Sequence, residues 1–210
     1  MPGNLISCDN DTNTIYRHDG ISSNILNSFS SPSGTPSGLT FDGLNLWSCD
    51  KDGDSIFKHD GISETILDSF STPKADPLGL TFDGSNLVSC YYYADLIYLH
   101  SGLSDVISSS FSSPSPEPSG LTFAEGNLIS ASNDTNSIFK HSGVSEEILE
   151  SFSSPYQSPF GLAFDGSNLI SCDITGNKIY KHSGISSQIS DSFASPSGTP
   201  YGLTFEEVGC

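Results

Sequence analysis

The motif Gly-Leu-Thr/Ala-Phe begins at Gly38, Gly79, Gly120, Gly161 and Gly202, and every step is 41 residues. A period of this length marks a stack or ring of supersecondary units, none of which can bury its apolar face alone. One whole unit reads GLTFDGLNLWSCDKDGDSIFKHDGISETILDSFSTPKADPL, from Gly38 to Leu78. Its apolar runs are short and bounded by turn signals, and no helical period persists. The spacing predicts strands over Gly38–Asp42, Asn45–Asp50, Asp54–His59 and Thr65–Ser71. Asp42-Gly43 and Lys51-Asp52-Gly53 join the first three, and Asp60-Gly61 leads towards the fourth. Asp-Gly favours tight hairpin turns because Gly accepts a positive φ. Short connections force antiparallel neighbours, so each unit is a four-stranded meander. Two prolines recur in the longer segment between units, as Pro32 and Pro36 do before Gly38. Proline donates nothing to a ladder and stiffens a crossing from an outer strand to the next inner one.

The two ends of the sequence decide between a ring and an open stack. The chain begins at a second strand, Asn4–Asp9, and ends just after a first strand, Gly202–Glu206. An open stack would leave two unpaired edges. Joining three N-terminal strands to one C-terminal strand completes a sheet and removes both edges. The expected fold is therefore all-β, a single five-bladed β-propeller over 1–210. Its blades are 38–78, 79–119, 120–160, 161–201, and 202–210 joined with 1–37.

The formal charge is -18, from seven basic and twenty-five acidic residues, and Arg17 is the single arginine. That field repels nucleic acid and anionic lipid, so neither is an expected partner. No run approaches the ~18 apolar residues of a membrane span. The start, MPGNLISCDN, has neither a basic n-region nor an apolar h-region, and the default expectation is a cytoplasmic monomer.

The stretch SCDKDGDSIFKHDG resembles the NHL type of propeller repeat, with gluconolactonase-like propellers as relatives. In that repeat an Asp ends the second strand, a Gly/Asn turn follows, and an apolar pair opens the third. The resemblance covers essentially the whole chain, five times over. It implies a propeller, and an interaction platform as its role. RNA-binding members of that type use basic surfaces, which this chain lacks.

Three sets of polar residues recur in register. His18, His59, His100, His141 and His182 invite a metal reading. With strands ~4.8 Å apart, third strands lie roughly 15 Å from a propeller axis and neighbouring copies about 17 Å from each other. Zinc needs ligands at ~2 Å, so no two of these imidazoles share an ion. Each is expected to hold a turn within its own blade. Cys8, Cys49, Cys90 and Cys172 are likewise too far apart for disulfides, which need Cα atoms within ~7 Å. Ala131 fills the fifth place, as a buried small-residue slot requires. Cys210 stands apart at the end of the sequence. Two loops after the second strand, Asp9-Asn-Asp11-Thr-Asn13 and Asp50-Lys-Asp52-Gly-Asp54, read Asp-x-Asp-x-Asp/Asn, the opening of a calcium loop without its later Glu, and Ser132–Asn136 and Asp173–Asn177 keep parts of it. Asp50, Asp52 and Asp54 are the best candidate for calcium, the one cofactor considered. Asx turn capping is the competing use.

Function is expected where the copies differ. The loop after the second strand carries Lys51 in one copy and Tyr91, Tyr92 and Tyr93 in the next. The crossing between blades carries Tyr156, with Leu78, Phe160 and Tyr201 just before the inner strand. Both connections reach one face of the ring. Aromatics beside Asp, Asn and Ser suit a sugar or a protein contact. The expected role is a non-enzymatic binding module for glycan or protein. A spacer domain of a larger protein is an alternative. A propeller hydrolase or lyase is the third reading, but no nucleophile–base motif distinguishes any one copy. Trp47 replaces Ile or Val on a strand and is read as core.

Overall fold

The structure, a computed structural model, describes residues 3–206. Cys210 and the final residues of the expected closing segment lie outside them. Strands β1 (Leu5–Asp9), β2 (Thr14–His18) and β3 (Ile25–Ser30) open the chain. The next blade is β4 (Pro36–Phe41), β5 (Leu46–Asp50), β6 (Ser55–His59) and β7 (Ile66–Ser71). It is followed by β8 (Pro77–Phe82), β9 (Leu87–Tyr91), β10 (Leu96–His100) and β11 (Ile107–Ser112). Then come β12 (Pro118–Ala124), β13 (Asn127–Ser132), β14 (Ser137–His141) and β15 (Ile148–Ser153). The last are β16 (Pro159–Phe164), β17 (Leu169–Asp173), β18 (Lys178–His182), β19 (Ile189–Ala194) and β20 (Pro200–Phe205).

These strands form five four-stranded antiparallel sheets arranged as the blades of a β-propeller. Four sheets are sequential meanders, and the fifth has the order β20-β1-β2-β3. The ring closes there, with Leu5 opposite Phe205 and Ile6 opposite Thr204. Arg17 reinforces the closure. Its Nε and Nη2 donate to the two carboxylate oxygens of Glu206 at 2.7 and 2.8 Å, and Asn4 Nδ2 also donates to Glu206.

The inner strands start two residues earlier than predicted. Pro36 and its equivalents open them, rather than lying in the crossing. A bulge between Pro36 and Leu39 absorbs the shift, and a strand's first residue need not donate to the ladder. The motif glycines follow from the crowding at the axis. A Cβ on Gly38 would sit 2.6 Å from the Leu78 carbonyl of the next blade, and one on Gly161 2.7 Å from that of Tyr201. Only glycine admits inner strands this close.

Between blades, Ile, Leu and Cys side chains form five buried clusters. Trp47 is in one of them, 1% exposed, with its Nε1 donating to Asp42 Oδ2 at 2.8 Å. Each of the four described cysteines is buried, and its Sγ accepts the amide of a motif glycine, as Cys49 accepts Gly38 N at 3.1 Å. Each histidine is buried and bonds within its blade. His59 Nε2 meets Ser48 Oγ at 2.9 Å and its Nδ1 meets the Ser63 carbonyl at 2.7 Å. The Phe29 ring of the preceding blade packs edge-on against it at 5.8 Å. The imidazoles therefore seal the interfaces between blades.

Candidate functional site

Strand direction places the β5–β6 type of loop and the blade crossings on one face, called here the loop face. The β4–β5 and β6–β7 types of connection lie on the opposite, hairpin face. Around the axis of the loop face two five-membered rings occupy equivalent positions in the repeats. The inner ring is Ser37, Leu78, Ser119, Phe160 and Tyr201, and the outer is Asn10, Lys51, Tyr92, Asn133 and Ile174. Neither ring keeps one residue type, so the five-fold frame is broken here.

In the inner ring the substitutions for serine are apolar. Leu78, Phe160 and Tyr201 fill the channel mouth, with Phe160 and Tyr201 ring centroids 4.5 Å apart and Tyr92 and Ile174 packed against the group. Where serine remains, its hydroxyl donates to backbone instead, as Ser37 does to the Pro77 carbonyl at 2.7 Å. Beside this plug lies a polar network. Asn133 Nδ2 donates to the Tyr92 hydroxyl at 3.1 Å and to Glu117 Oε2 at 2.9 Å. The Lys51 ammonium lies 5.8 Å from the Tyr92 ring centroid, and Tyr93 stands edge-on to Tyr92 at 4.8 Å. Burial pushes the Tyr92 hydroxyl up to about 12, and its bond to Glu117 adds to the shift. Tyr92 is thus a fixed, neutral platform. Tyr93 is 74% and Tyr156 50% exposed.

Two sequence expectations are corrected. Tyr91 is not on this face. It is fully buried at the end of β9, packed edge-on against Tyr98 at 5.2 Å, with its hydroxyl bonded to Ser89 at 3.0 Å. It takes the place that Asp holds in three other copies, and its ring fills the blade. Phe160 is 5% exposed and belongs to the plug, not to an open surface. Tyr201 is half-buried beside it.

The calcium expectation fails on geometry. The Asp50 carboxylate is turned inwards and taken up by Thr35 N at 2.7 Å, Thr35 Oγ1 at 3.1 Å and Gly53 N at 2.5 Å. Asp54 adopts a positive φ and accepts the Asp76 amide at 2.9 Å, while Asp52 is exposed. The three do not converge. Among the described residues no group of three His, Cys, Asp or Glu side chains is placed to hold an ion. Asp50 and Asp54 cap backbone amides instead.

Asn133 was not singled out from the sequence, because Asn is common in such loops. The signal for it was its register with Lys51 and Tyr92. Asp173, at the end of β17, is unusual. Its Oδ1 accepts Gly176 N at 2.5 Å, but its buried Oδ2 has no partner, and burial pushes its pKa up to about 6.

No family model and no curated protein matches the chain. Solved structures do. A chain of a nidogen/laminin complex is similar with a TM-score of 0.65 at 20% identity, over 98% of this chain and 85% of that one. Glutaminyl cyclase from Myxococcus xanthus gives a TM-score of 0.65 at 12% identity, over 81% of this chain and 70% of the enzyme. A chain of a mitotic checkpoint complex gives 0.56 at 15% identity, over 92% of this chain and 61% of that one. At these identities the likeness is one of fold.

Proposed function

We propose that the chain is a non-catalytic binding module that seats a protein or carbohydrate partner on its loop face, around Tyr92 and Tyr93. One observation carries this reading. The departures from five-fold repetition gather at the axis of that face, where Tyr92 is fixed by Asn133 and Lys51 and Tyr93 is left exposed. A rigid aromatic on a supported base costs little entropy to immobilise, the property of an interface anchor. The resemblance to NHL-type repeats supports the same role. Propeller chains similar to this one occur both in a protein complex and in an enzyme, so the fold alone does not choose. The five Ser–His pairs offer no nucleophile to a substrate, since every imidazole is sealed between blades.

The test is binding of the immobilised chain to a glycan panel and to proteins of its own source. Comparison with Tyr93→Ala and Tyr156→Ala then locates the contact. Loss of about tenfold in affinity with unchanged melting is expected for Tyr93→Ala, in the range of an interface anchor. A partner that binds both variants as well as the parent overturns the loop-face assignment.

A further inference from the structure

The axial channel is pinched where the motif glycines meet, to about 10 Å³. That is the space of about one water on the same measure. Towards the hairpin face it widens into a blind cup of about 100 Å³. Thr40, Thr81, Thr122 and Thr204 line the cup, with Ala163 in the fifth place, and the phenylalanine after each of these forms the rim. Among the described residues none of the four threonine hydroxyls has a protein hydrogen-bond partner, and none is sealed from the cavity.

The backbone adds further polar groups. The Asp42 amide donates to the Asn45 carbonyl at 3.1 Å, and Phe41 pairs with Leu46. In an antiparallel ladder this alternation turns the N–H and C=O of Phe41 away from β5, towards the axis. The same bond recurs at Asp83, Asp165 and Glu206, so four blades present these groups at the level of the cup. The wall is therefore polar without charge. Among the described residues the carboxylates next to the rim are already engaged: Glu206 by Arg17, Glu125 by Lys140 at 2.8 Å, Asp165 by Lys181 at 3.3 Å, Asp42 by Trp47 and two amides, and Asp83 by the amides of Ser85 and Asn86.

We propose that this cup binds one small neutral polyol, the size of a single sugar ring. Hydroxyls, amides and carbonyls together offer donors and acceptors in alternation, the match for a ligand whose groups are both. The aromatic rim suits the C–H faces of a sugar. The cup has room for on the order of seven waters, about what one such ring displaces. Among the described residues no charged group lines the wall, which disfavours acids and amines. This site lies on the face opposite the one proposed for a macromolecular partner and does not depend on it.

The experiment is a calorimetric titration of the intact chain with glucose, galactose, xylose and inositol, with glucuronate and glucosamine as charged comparisons. At least one neutral compound is expected to bind saturably at one per chain, in preference to both charged ones. Thr81→Val with Thr122→Val keeps the branched shape and removes two hydroxyls. It is expected to weaken binding at least about tenfold, while Tyr93→Ala on the loop face leaves it unchanged. Failure of every neutral compound to saturate, equal binding of a charged analogue, or undiminished binding by the valine pair overturns the proposal. Should the valine pair not fold, Ala163→Thr supplies a fifth hydroxyl, and binding indifferent to it overturns the proposal equally.

Discussion

The Ser158 amide donates to Asn136 Oδ1 at 2.8 Å, an acceptor at the start of the preceding blade's third strand. In two other crossings the equivalent amide turns the other way. Thr35 N donates to Asp50 at 2.7 Å and Thr199 N to Asp9 at 2.8 Å, and each thereby caps the carboxylate of its own blade. Ser158 instead adopts a φ of 65°. Asp173 is the carboxylate it leaves without a cap on Oδ2.

Asp173 therefore costs stability when ionised. Its pKa of about 6 in the folded chain lies above its unfolded value. Its favourable contribution is full below the unfolded pKa of ~3.9 and is lost as pH rises through about 6. Asp173→Asn is expected to stabilise the chain by about 1–3 kcal/mol at pH 8 and by almost nothing at pH 4. Urea unfolding at the two pH values measures this. A variant less stable than the parent at pH 8 contradicts the assigned cause.

The five histidines act in the opposite sense. Burial lowers the pKa of each, opposed by its bond to a backbone carbonyl. A depressed imidazole contributes stability that is complete above the unfolded pKa of ~6.5 and is lost as pH falls through the folded value. Five such groups outweigh one carboxyl, so acidification from pH 7 to 4 is expected to destabilise the chain steeply. Ser48→Ala, which deprives His59 of its partner, is expected to cost about 1–2 kcal/mol at pH 7. Equilibrium unfolding across this range checks both statements, and a flat profile would falsify the first.

Ring closure rests on a short strand and one bidentate ion pair. Arg17→Ala is expected to cost about 1–2 kcal/mol, since it also strips Glu206 of its partner. Burial raises the Glu206 carboxyl, but its bonds to Arg17 and Asn4 outweigh this and hold it below the usual value. Deleting residues 202–210 removes Gly202–Phe205, the greater part of β20, and is expected to abolish cooperative unfolding. Calorimetry distinguishes the two, and a near-parental melt of the deletion contradicts the closure.

The register thiols are expected to be chemically silent. Burial raises the pKa of Cys49 to about 11 and of Cys172 to about 12, and their sulfurs face glycine amides. In a Cys210→Ser background, a thiol reagent is expected to react with none of the remaining four until the chain unfolds. Rapid labelling of one of them in the folded state contradicts their enclosure. Cys49→Ala is expected to be tolerated, since Ala131 already occupies the same slot.

The ring was legible in the sequence because repetition multiplies weak signals. A single Asp-Gly turn says little, but three in register, at Asp42, Asp83 and Asp165, within five copies of one 41-residue unit fix strand number, order and closure. The glycine at the head of each repeat was equally legible as a marker, yet its cause, a neighbouring carbonyl at the axis, is a long-range contact that no local pattern carries. Tyr91 misled for a related reason. Three successive tyrosines look like one exposed patch, but β9 extends through the first of them and turns it into the blade. Asp50, Asp52 and Asp54 have the spacing of metal ligands, but amides take up the carboxylates of Asp50 and Asp54 separately and Asp52 is left exposed. The threonine–phenylalanine cup reads in sequence as ordinary strand residues, and only ring closure brings its members together.

Closure has a kinetic consequence. Four sheets form from residues at most one repeat apart, whereas the bond between Asn4 and Glu206 spans 202 positions. The entropy of bringing these ends together can be offset only once the intervening blades have stacked, so the sheet they share forms last. Until then β1 and β20 are two bare, matching edges on one molecule. At high concentration each can meet its complement on a neighbour before its own, so refolding yield should fall with concentration through exchanged closing strands.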